Sequence, residues 1–381
     1  MKIIADENIP FAREAFQDLG TVHTLPGREM QQQDLLDCDC LLVRSVTPVN
    51  QQLLDNTPVK FVASATIGTD HVDLDYLHQR GIGFANAPGC NAESASEYVI
   101  NVLFYLAQQK GFDPFKLTAG VIGFGNVGSR VKNKLDVLGI NCLINDPPKQ
   151  DAGDDSVNFV SLQSILHECD FITLHVPLTS SGDYPTLHLL AEPQLQELLP
   201  GCILFNAARG AVVDNKALSS LLEIRKDLTV FLDTWEGEPS IDMKLLSQVD
   251  FGSPHIAGYS YEGKLRGTQM ILDACCEYFN RQSSWKMQDH LPQKRHISLQ
   301  FKGDQTAAIN DLLQQHYLVQ QDYQTLLSLD KLAQPNRGTA FDQLRKNYPL
   351  RYEYNQFQIS GISDYKKAAA QIERLGFNYK K

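Results

Sequence analysis

The pattern Gly123-Phe124-Gly125-Asn126-Val127-Gly128 follows the apolar run Leu117–Ile122 and opens a stretch with helical spacing. Few backbones need three glycines so spaced between a strand and a helix. Gly123 permits a tight turn, Gly125 lets a pyrophosphate approach the backbone, and Gly128 lets the helix lie close on the strand. Backbone N–H groups and the positive helix end then face an anion. Asp146 stands 18 residues beyond Gly128, at the end of the next apolar run, 140–145. A carboxylate there accepts ribose hydroxyls and repels a 2′-phosphate. The pattern therefore predicts a site for NAD rather than NADP, with Gly123, Gly125, Asn126, Val127, Gly128 and Asp146 as contacts. Lys149 argues the other way, and Asp146 also suits a turn before Pro147-Pro148.

The surrounding periodicity extends this reading. Strands are expected at 117–122, 140–145, 171–175, 202–206 and 229–232, with helices at 127–138, 161–167, 193–198 and 215–224. That alternation makes a doubly wound parallel sheet by itself. An earlier set, with strands at 2–5, 41–43 and 59–65 and helical spacing at 10–19 and 30–37, predicts a second one. The segment 92–109 carries a long apolar stripe and reads as a helix joining the two. With 381 residues, and about 150 per domain, two to three domains are expected. The last 91 residues carry 13 Lys and Arg against 8 Asp and Glu, a net of +5, whereas the first 290 carry −16. Helical patterns at 305–316 and 364–375, with strand-like pieces at 296–301 and 350–360, make this tail a small α+β module.

Composition narrows the function classes. A chain 43% hydrophobic and 21% charged is neither collagen-like nor disordered. A net charge of −11 argues against a nucleic-acid coat. The basic residues of the tail are scattered singly, which suits solvation or docking on an acidic partner subunit. The eight cysteines form no CxxC pair and read as buried free thiols, and no metal is expected. The start MKIIADENIP is too short in apolar residues for a signal core, and no long apolar run follows. A cytoplasmic protein without a membrane partner is expected.

Three further segments lie at expected strand ends, where open α/β sheets place ligands. They are Leu204–Gly210 (LFNAARG), Asp233–Pro239 (DTWEGEP) and Ser253–Tyr259 (SPHIAGY). Together with Asp170–Pro177 (DFITLHVP), they follow the glycine pattern in the order found in the NAD-dependent D-2-hydroxyacid dehydrogenases, which the chain resembles over roughly 40–280. Oxidising a 2-hydroxy acid requires a base for the hydroxyl proton, and an imidazole such as His255 titrates near neutral pH. Glu238 would orient that ring and stabilise its charged form. Arg209 offers a planar fork to the substrate carboxylate. The resemblance implies these same roles for Arg209, Glu238 and His255. It further implies cofactor contacts at His175, Val176, Ala207, Ala208, Asp233 and Gly258. Glu236 rivals Glu238 locally, while His71, His175 and His188 are rival histidines.

A narrower resemblance rests on ADENIP, Leu42–Thr47 (LVRSVT), Ser64–Asp70 (SATIGTD) and the added carboxy-terminal module. It is to the branch of that family that oxidises a phosphorylated four-carbon sugar acid during pyridoxal phosphate biosynthesis. It implies a homodimer formed through the terminal domain. Such a substrate needs cationic and hydroxyl donors, which Arg44, Ser45 and Thr66 supply near expected strand ends, with Tyr259 as a further contact. The expected organisation is 1–95 completed by 258–288 as the substrate-binding domain, 96–257 as a Rossmann domain for NAD, and 289–381 as a dimerisation domain. Two alternatives stay open. One is a dehydrogenase for another acid, phosphoglycerate or glycerate. The other is a non-catalytic NAD-sensing protein, since the fold also serves corepressors.

Overall fold

The computed structural model describes residues 1–299, 305–361 and 366–379. The chain divides into two compact units, Met1–Ala92 with Tyr259–Gln293, and Glu93–Gly258 with Lys294–Lys381.

The first unit is built on five parallel strands, β1 (Lys2–Asp6), β2 (Thr21–Leu25), β3 (Cys40–Val43), β4 (Phe61–Ser64) and β5 (Gly83–Ala85). Their order is β2-β1-β3-β4-β5. The central strands β3 and β4 are buried throughout, as expected of a sheet covered on both faces. One face packs Ile3, Phe16, Phe61 and Ala63 against Leu265, Ile271, Leu272 and Cys275 of the helix Tyr261–Tyr278. The other packs Ile4, Leu41, Val43 and Val62 against Leu35, Leu54 and Leu77. The helical spacing at 30–37 yields only a single 3₁₀ turn, Gln32–Leu35, closed by a capping box between Gln31 and Asp34. Leu35 is buried but Leu36 is 60% exposed, so the segment lacks an apolar stripe long enough to sustain a helix.

The second unit holds six parallel strands, β6 (Thr118–Ile122), β7 (Asn141–Asn145), β8 (Phe171–Leu174), β9 (Ile203–Asn206), β10 (Thr229–Leu232) and β11 (Phe251–Gly252). They run in the order β11-β10-β9-β8-β6-β7. The order reverses between β6 and β8, which is the switch point where a doubly wound sheet opens a crevice. The register aligns the strand ends in one row: Gly252, Leu232, Asn206, Leu174, Ile122 and Asn145. The core includes a file of rings, Phe171, Phe205, Phe231 and Phe251, with centroids 4.9, 4.9 and 5.5 Å apart and edge-to-face tilts. The expected helix at 92–109 is Ala92–Lys110, with Tyr98, Val99, Leu103 and Phe104 fully buried.

Three more strands, β12 (Arg295–Ser298), β13 (Phe357–Ser360) and β14 (Asn378–Tyr379), form a small parallel sheet. Its helices are Gln305–His316, Gln320–Leu327, Gln334–Lys346 and Lys366–Leu375. The strand expected over 350–360 begins only at Phe357. Residues 300, 301, 364 and 365 of the expected elements lie outside the described residues. Leu326, Leu329 and Phe341 join the core that holds Leu232 and Trp235, so this module and the six-stranded sheet share one interior.

Phe205 sits between two rings of the file and is fully buried. Phe205→Ala should lower unfolding stability by about 3–5 kcal/mol. Urea denaturation followed by fluorescence checks this, and a midpoint equal to the wild type would contradict the packing argument.

Candidate active site

The aligned row of strand ends gathers the sequence candidates of the second unit. Gly123 follows Ile122, Asp146 follows Asn145, and His175 follows Leu174. Ala207 follows Asn206, Asp233 follows Leu232, and His255 stands three residues past Gly252.

At the glycine turn, Gly123 has φ +90°, and a Cβ there would lie 2.8 Å from the His175 backbone and the Val176 side chain. A Cβ on Gly128 would lie 1.9 Å from the Gly123 carbonyl oxygen, so the helix Asn126–Leu138 presses onto the turn it leaves. Gly125 caps that helix without a side chain to compete for its first N–H groups. Asp146 Oδ2 accepts from Phe124 N–H at 2.7 Å, and Oδ1 accepts from Lys149 N–H at 3.2 Å. Asp146 is thus also the cap of the short helix Pro147–Asp151, and each carboxylate oxygen keeps a second lone pair. Lys149 pairs with Asp154 at 3.3 Å and lies 5.3 Å from the Phe124 ring centre. His175 Nε2 meets Thr173 Oγ1 at 2.9 Å, while its Nδ1 is buried without a partner. Enclosure of the ring nitrogens pushes this imidazole down to about 3, so it is neutral. A turn with no room for a Cβ at Gly123 or Gly128, a carboxylate tied to it and an orphaned ring nitrogen beside it suit a dinucleotide.

The opposite half of the row carries ionisable groups. Asp233 is 1% exposed. Its Oδ1 accepts from Ser253 Oγ at 2.7 Å, Ile256 N–H at 2.7 Å and Ala257 N–H at 3.1 Å. Its carbonyl accepts from His255 N–H at 2.7 Å. Burial pushes the Asp233 carboxyl up, against the charge of His255 and these donors. His255 is held at φ +56°, a conformation that costs a non-glycine residue roughly 1–2 kcal/mol. Its Nδ1 meets Glu238 Oε2 at 2.8 Å, and Nε2 has no hydrogen-bond partner among the described residues. Glu238 Oε1 accepts from Trp235 N–H at 2.7 Å. Burial would raise the Glu238 carboxyl, but the charge and hydrogen bond of His255, with the charge of Arg345, carry it below the usual range.

Arg209 is half-buried, and one Nη1 bond runs to the Ala208 carbonyl at 2.9 Å. Its loop is fixed by Asn206, whose Oδ1 accepts from Ala208 N–H at 3.1 Å and whose Nδ2 donates to the Arg209 carbonyl at 2.9 Å. A Cβ on Gly210 would lie 2.0 Å from the Trp235 carbonyl carbon. The Arg209 and Glu238 loops therefore abut through backbone. Gly258 accepts from Ser94 Oγ at 3.1 Å.

The rival Glu236 faces a different histidine. His188 Nε2 meets Glu236 Oε1 at 2.8 Å, and His188 Nδ1 lies 3.8 Å from Asp214 Oδ2. Both His188 nitrogens face carboxylates, which leaves neither for a substrate hydroxyl. Among the described residues these three side chains also form a group able to hold a metal ion, although exposed acidic groups commonly gather without one.

In the first unit, Arg44 Nη2 meets Tyr259 Oη at 3.3 Å. Lys264, which sequence reasoning missed, lies 4.8 Å from the same ring centre. Thr66 Oγ1 meets Ser64 Oγ at 2.9 Å, and Ser64 Oγ meets His71 Nε2 at 3.2 Å. Ser45 is exposed in the turn after β3. Asn206 and Ser253 were also missed. Both stand in the quoted segments at strand ends, the one signal that could have marked them.

A family model described as D-isomer specific 2-hydroxyacid dehydrogenase, NAD binding domain, matches residues 103–257. The chain is 44% identical to erythronate-4-phosphate dehydrogenase of Hahella chejuensis over 99% of both chains. It is 45% identical to the enzyme of the same name from Escherichia coli O139:H28, over 99% of this chain and 98% of that one. A D-lactate dehydrogenase of Aquifex aeolicus, solved with NAD and lactic acid, superposes with a TM-score of 0.63 at 25% identity, covering 74% of this chain and 96% of its own. The NAD⁺-bound 3-phosphoglycerate dehydrogenase of Entamoeba histolytica shares the fold, with a TM-score of 0.64 at 23% identity over 74% of this chain and 95% of its own.

Glu238 should titrate below the ordinary glutamate value in the intact protein. His255→Ala removes the facing charge and hydrogen bond, leaving burial to dominate, and should raise that midpoint. Carbon-13 NMR of the labelled carboxyl reads both values. A midpoint unmoved by the substitution would contradict the stated cause.

Proposed function

The chain belongs to the D-isomer specific 2-hydroxyacid dehydrogenases, in their erythronate-4-phosphate dehydrogenase branch, and we propose that it oxidises 4-phospho-D-erythronate to 2-oxo-3-hydroxy-4-phosphobutanoate in pyridoxal 5′-phosphate (vitamin B6) biosynthesis. The observation that carries the chemistry is the 2.8 Å contact between His255 Nδ1 and the half-buried carboxylate of Glu238. That bond fixes the tautomer, so Nε2 is the basic nitrogen. His255 takes the hydroxyl proton there, and Glu238 stabilises the imidazolium that results. Bound at the glycine turn, NAD would supply the acceptor for the hydride that leaves C2 as the C2–O bond becomes a carbonyl. Arg209 holds the substrate carboxylate and favours the carbonyl that develops. In the reverse direction the same imidazolium returns its proton.

The cofactor falls to Gly123, Gly125, Asn126, Val127, Gly128 and Asp146, with His175, Val176, Ala207, Ala208, Asp233 and Gly258. Asp233 also sets the His255 loop. Arg44, Ser45, Thr66 and Tyr259 contact the substrate. Arg44 and Lys264, both over the Tyr259 ring, bring two cations together, a chemistry suited to the phosphate. The domains proposed are 1–95 with 258–288 for substrate, 96–257 for NAD and 289–381 for dimerisation. Among the described residues no helix is long and apolar enough to cross a membrane, and the protein is proposed to act in the cytoplasm.

NADH formation should be faster with 4-phosphoerythronate than with 3-phosphoglycerate or glycerate. His255→Ala should cut kcat by on the order of 10²–10⁴ while NAD still binds. Faster turnover of phosphoglycerate would reassign the substrate. Binding of NAD without turnover of any acid in the panel would favour a sensor instead.

Leu318, Leu327, Leu332 and Leu350 of the terminal module are between 36% and 64% exposed, which supports assembly of two copies through residues 289–381. Sedimentation velocity should return a dimer. A monomer at micromolar concentration would refute this arrangement.

A further inference from the structure

The loop that carries His255 is held from two sides, and only one belongs to the nucleotide-binding sheet. Asp233 grips the N–H groups of Ile256 and Ala257 from below. Their carbonyls point to a residue nearly a hundred positions later. Arg351 Nη2 donates to the Ile256 carbonyl at 3.2 Å and also to the Ala257 carbonyl. The two residues after His255 are therefore held at their N–H groups by a carboxylate and at their carbonyls by a guanidinium, and the Ile256–Ala257 peptide is held at both ends.

Arg351 is built into its place. It is 4% exposed, a costly position for a charge unless that charge is met. Three rings meet it, with centres at 4.6 Å for Tyr98, 5.6 Å for Tyr317 and 5.9 Å for Tyr348. Tyr98 and Tyr317 donate to Asp322 at 2.7 and 2.8 Å, and Tyr348 donates to Tyr317 at 2.7 Å. Asp322 thereby supplies a countercharge. Three residues on, Tyr354 is fully buried. Its N–H donates to Glu97 at 3.0 Å and its hydroxyl to Asn101 at 2.8 Å. This fixes the backbone from which Arg351 projects.

We infer that Arg351 of the carboxy-terminal module is a positioning residue for His255, closing from the carbonyl side the clamp that Asp233 closes from the amide side. The inference rests on the proposed role of His255 as the base. It assigns the terminal module a task inside its own chain, distinct from holding two copies together. His255 adopts a left-handed backbone that the loop would otherwise relax. Losing one side of the clamp frees the imidazole from its alignment with Glu238. The same module supplies Arg345, whose charge helps keep Glu238 ionised.

The test uses the full chain with two variants. Arg351→Lys keeps the charge but lacks the planar guanidinium that lies over the Tyr98, Tyr317 and Tyr348 rings and brings Nη2 to both carbonyls. The double variant Arg351→Met with Asp322→Asn removes both charges together and leaves no uncompensated ion. Two readouts are taken. One is the low-field proton resonance of His255 Nδ1–H, assigned by its loss in His255→Gln and independent of any substrate. The other is steady-state kinetics with 4-phosphoerythronate. In either folded variant the resonance should shift or broaden. kcat should fall about 10- to 100-fold, with KM and NAD affinity held within about twofold. An unmoved resonance in a folded variant would overturn the inference, as would unfolding of both variants, since Arg351 would then be a core residue only. Lack of turnover by the wild type would defeat the functional reading and leave the resonance to decide this one.

Discussion

The buried carboxylate of Asp233 is the interaction on which the path of the His255 loop depends. A carboxylate with 1% exposure is expensive to bury unless its oxygens are met by donors. Here they come from Ser253, Ile256 and Ala257, and the adjoining carbonyl takes the His255 N–H. One residue at the end of β10 thus sets the path of the loop beyond β11. It follows that His255 sits at a backbone angle most residues avoid, with Nδ1 against Glu238. Changing Asp233 would alter the imidazole without touching it.

The loop from Trp235 to Glu238 distributes two acids to two histidines. Glu238 pairs with His255 and Glu236 with His188. Their difference lies in what remains open on each ring. His188 has carboxylates near both nitrogens, whereas His255 Nε2 has no hydrogen-bond partner among the described residues. The Gly210 approach to Trp235 then fixes the Arg209 loop beside the same turn. Backbone contact and the Asn215 side chain, which donates to the Gly210 carbonyl and accepts from the Glu236 N–H, together set the relation between these loops.

Much of this was readable from residue order. Strong apolar runs such as Leu117–Ile122 and 202–206 became strands because a doubly covered sheet needs continuous hydrophobicity. The ordered segments lie past those strand ends, where Glu238 meets His255 and the loop of Arg209 abuts Trp235 through Gly210. The losses are local. β2 (TVHTL) is half polar because it lies at an edge, and β11 is two residues long, too short for any period to register. The helices Gln320–Leu327 and Gln334–Lys346 carry weak stripes, since Leu326 and Phe341 are the main residues they bury. Arg351 was invisible because its partners are backbone carbonyls, which have no sequence identity. Asp146 fits the turn before Pro147-Pro148, whose helix it caps, and its other oxygen accepts from the Phe124 N–H of the glycine loop.

The first unit takes its strands from the amino terminus and one wall of its core from residues 259–293. Leu265, Ile271, Leu272 and Cys275 cover Ile3, Phe61 and Ala63. During synthesis that sheet emerges long before the helix that shields it. The nascent chain must carry a greasy, half-clad surface while the entire nucleotide-binding segment is translated, at about 5–20 residues per second. For many seconds that face of the sheet stays open to water, and Tyr261–Tyr278 is the helix that closes it.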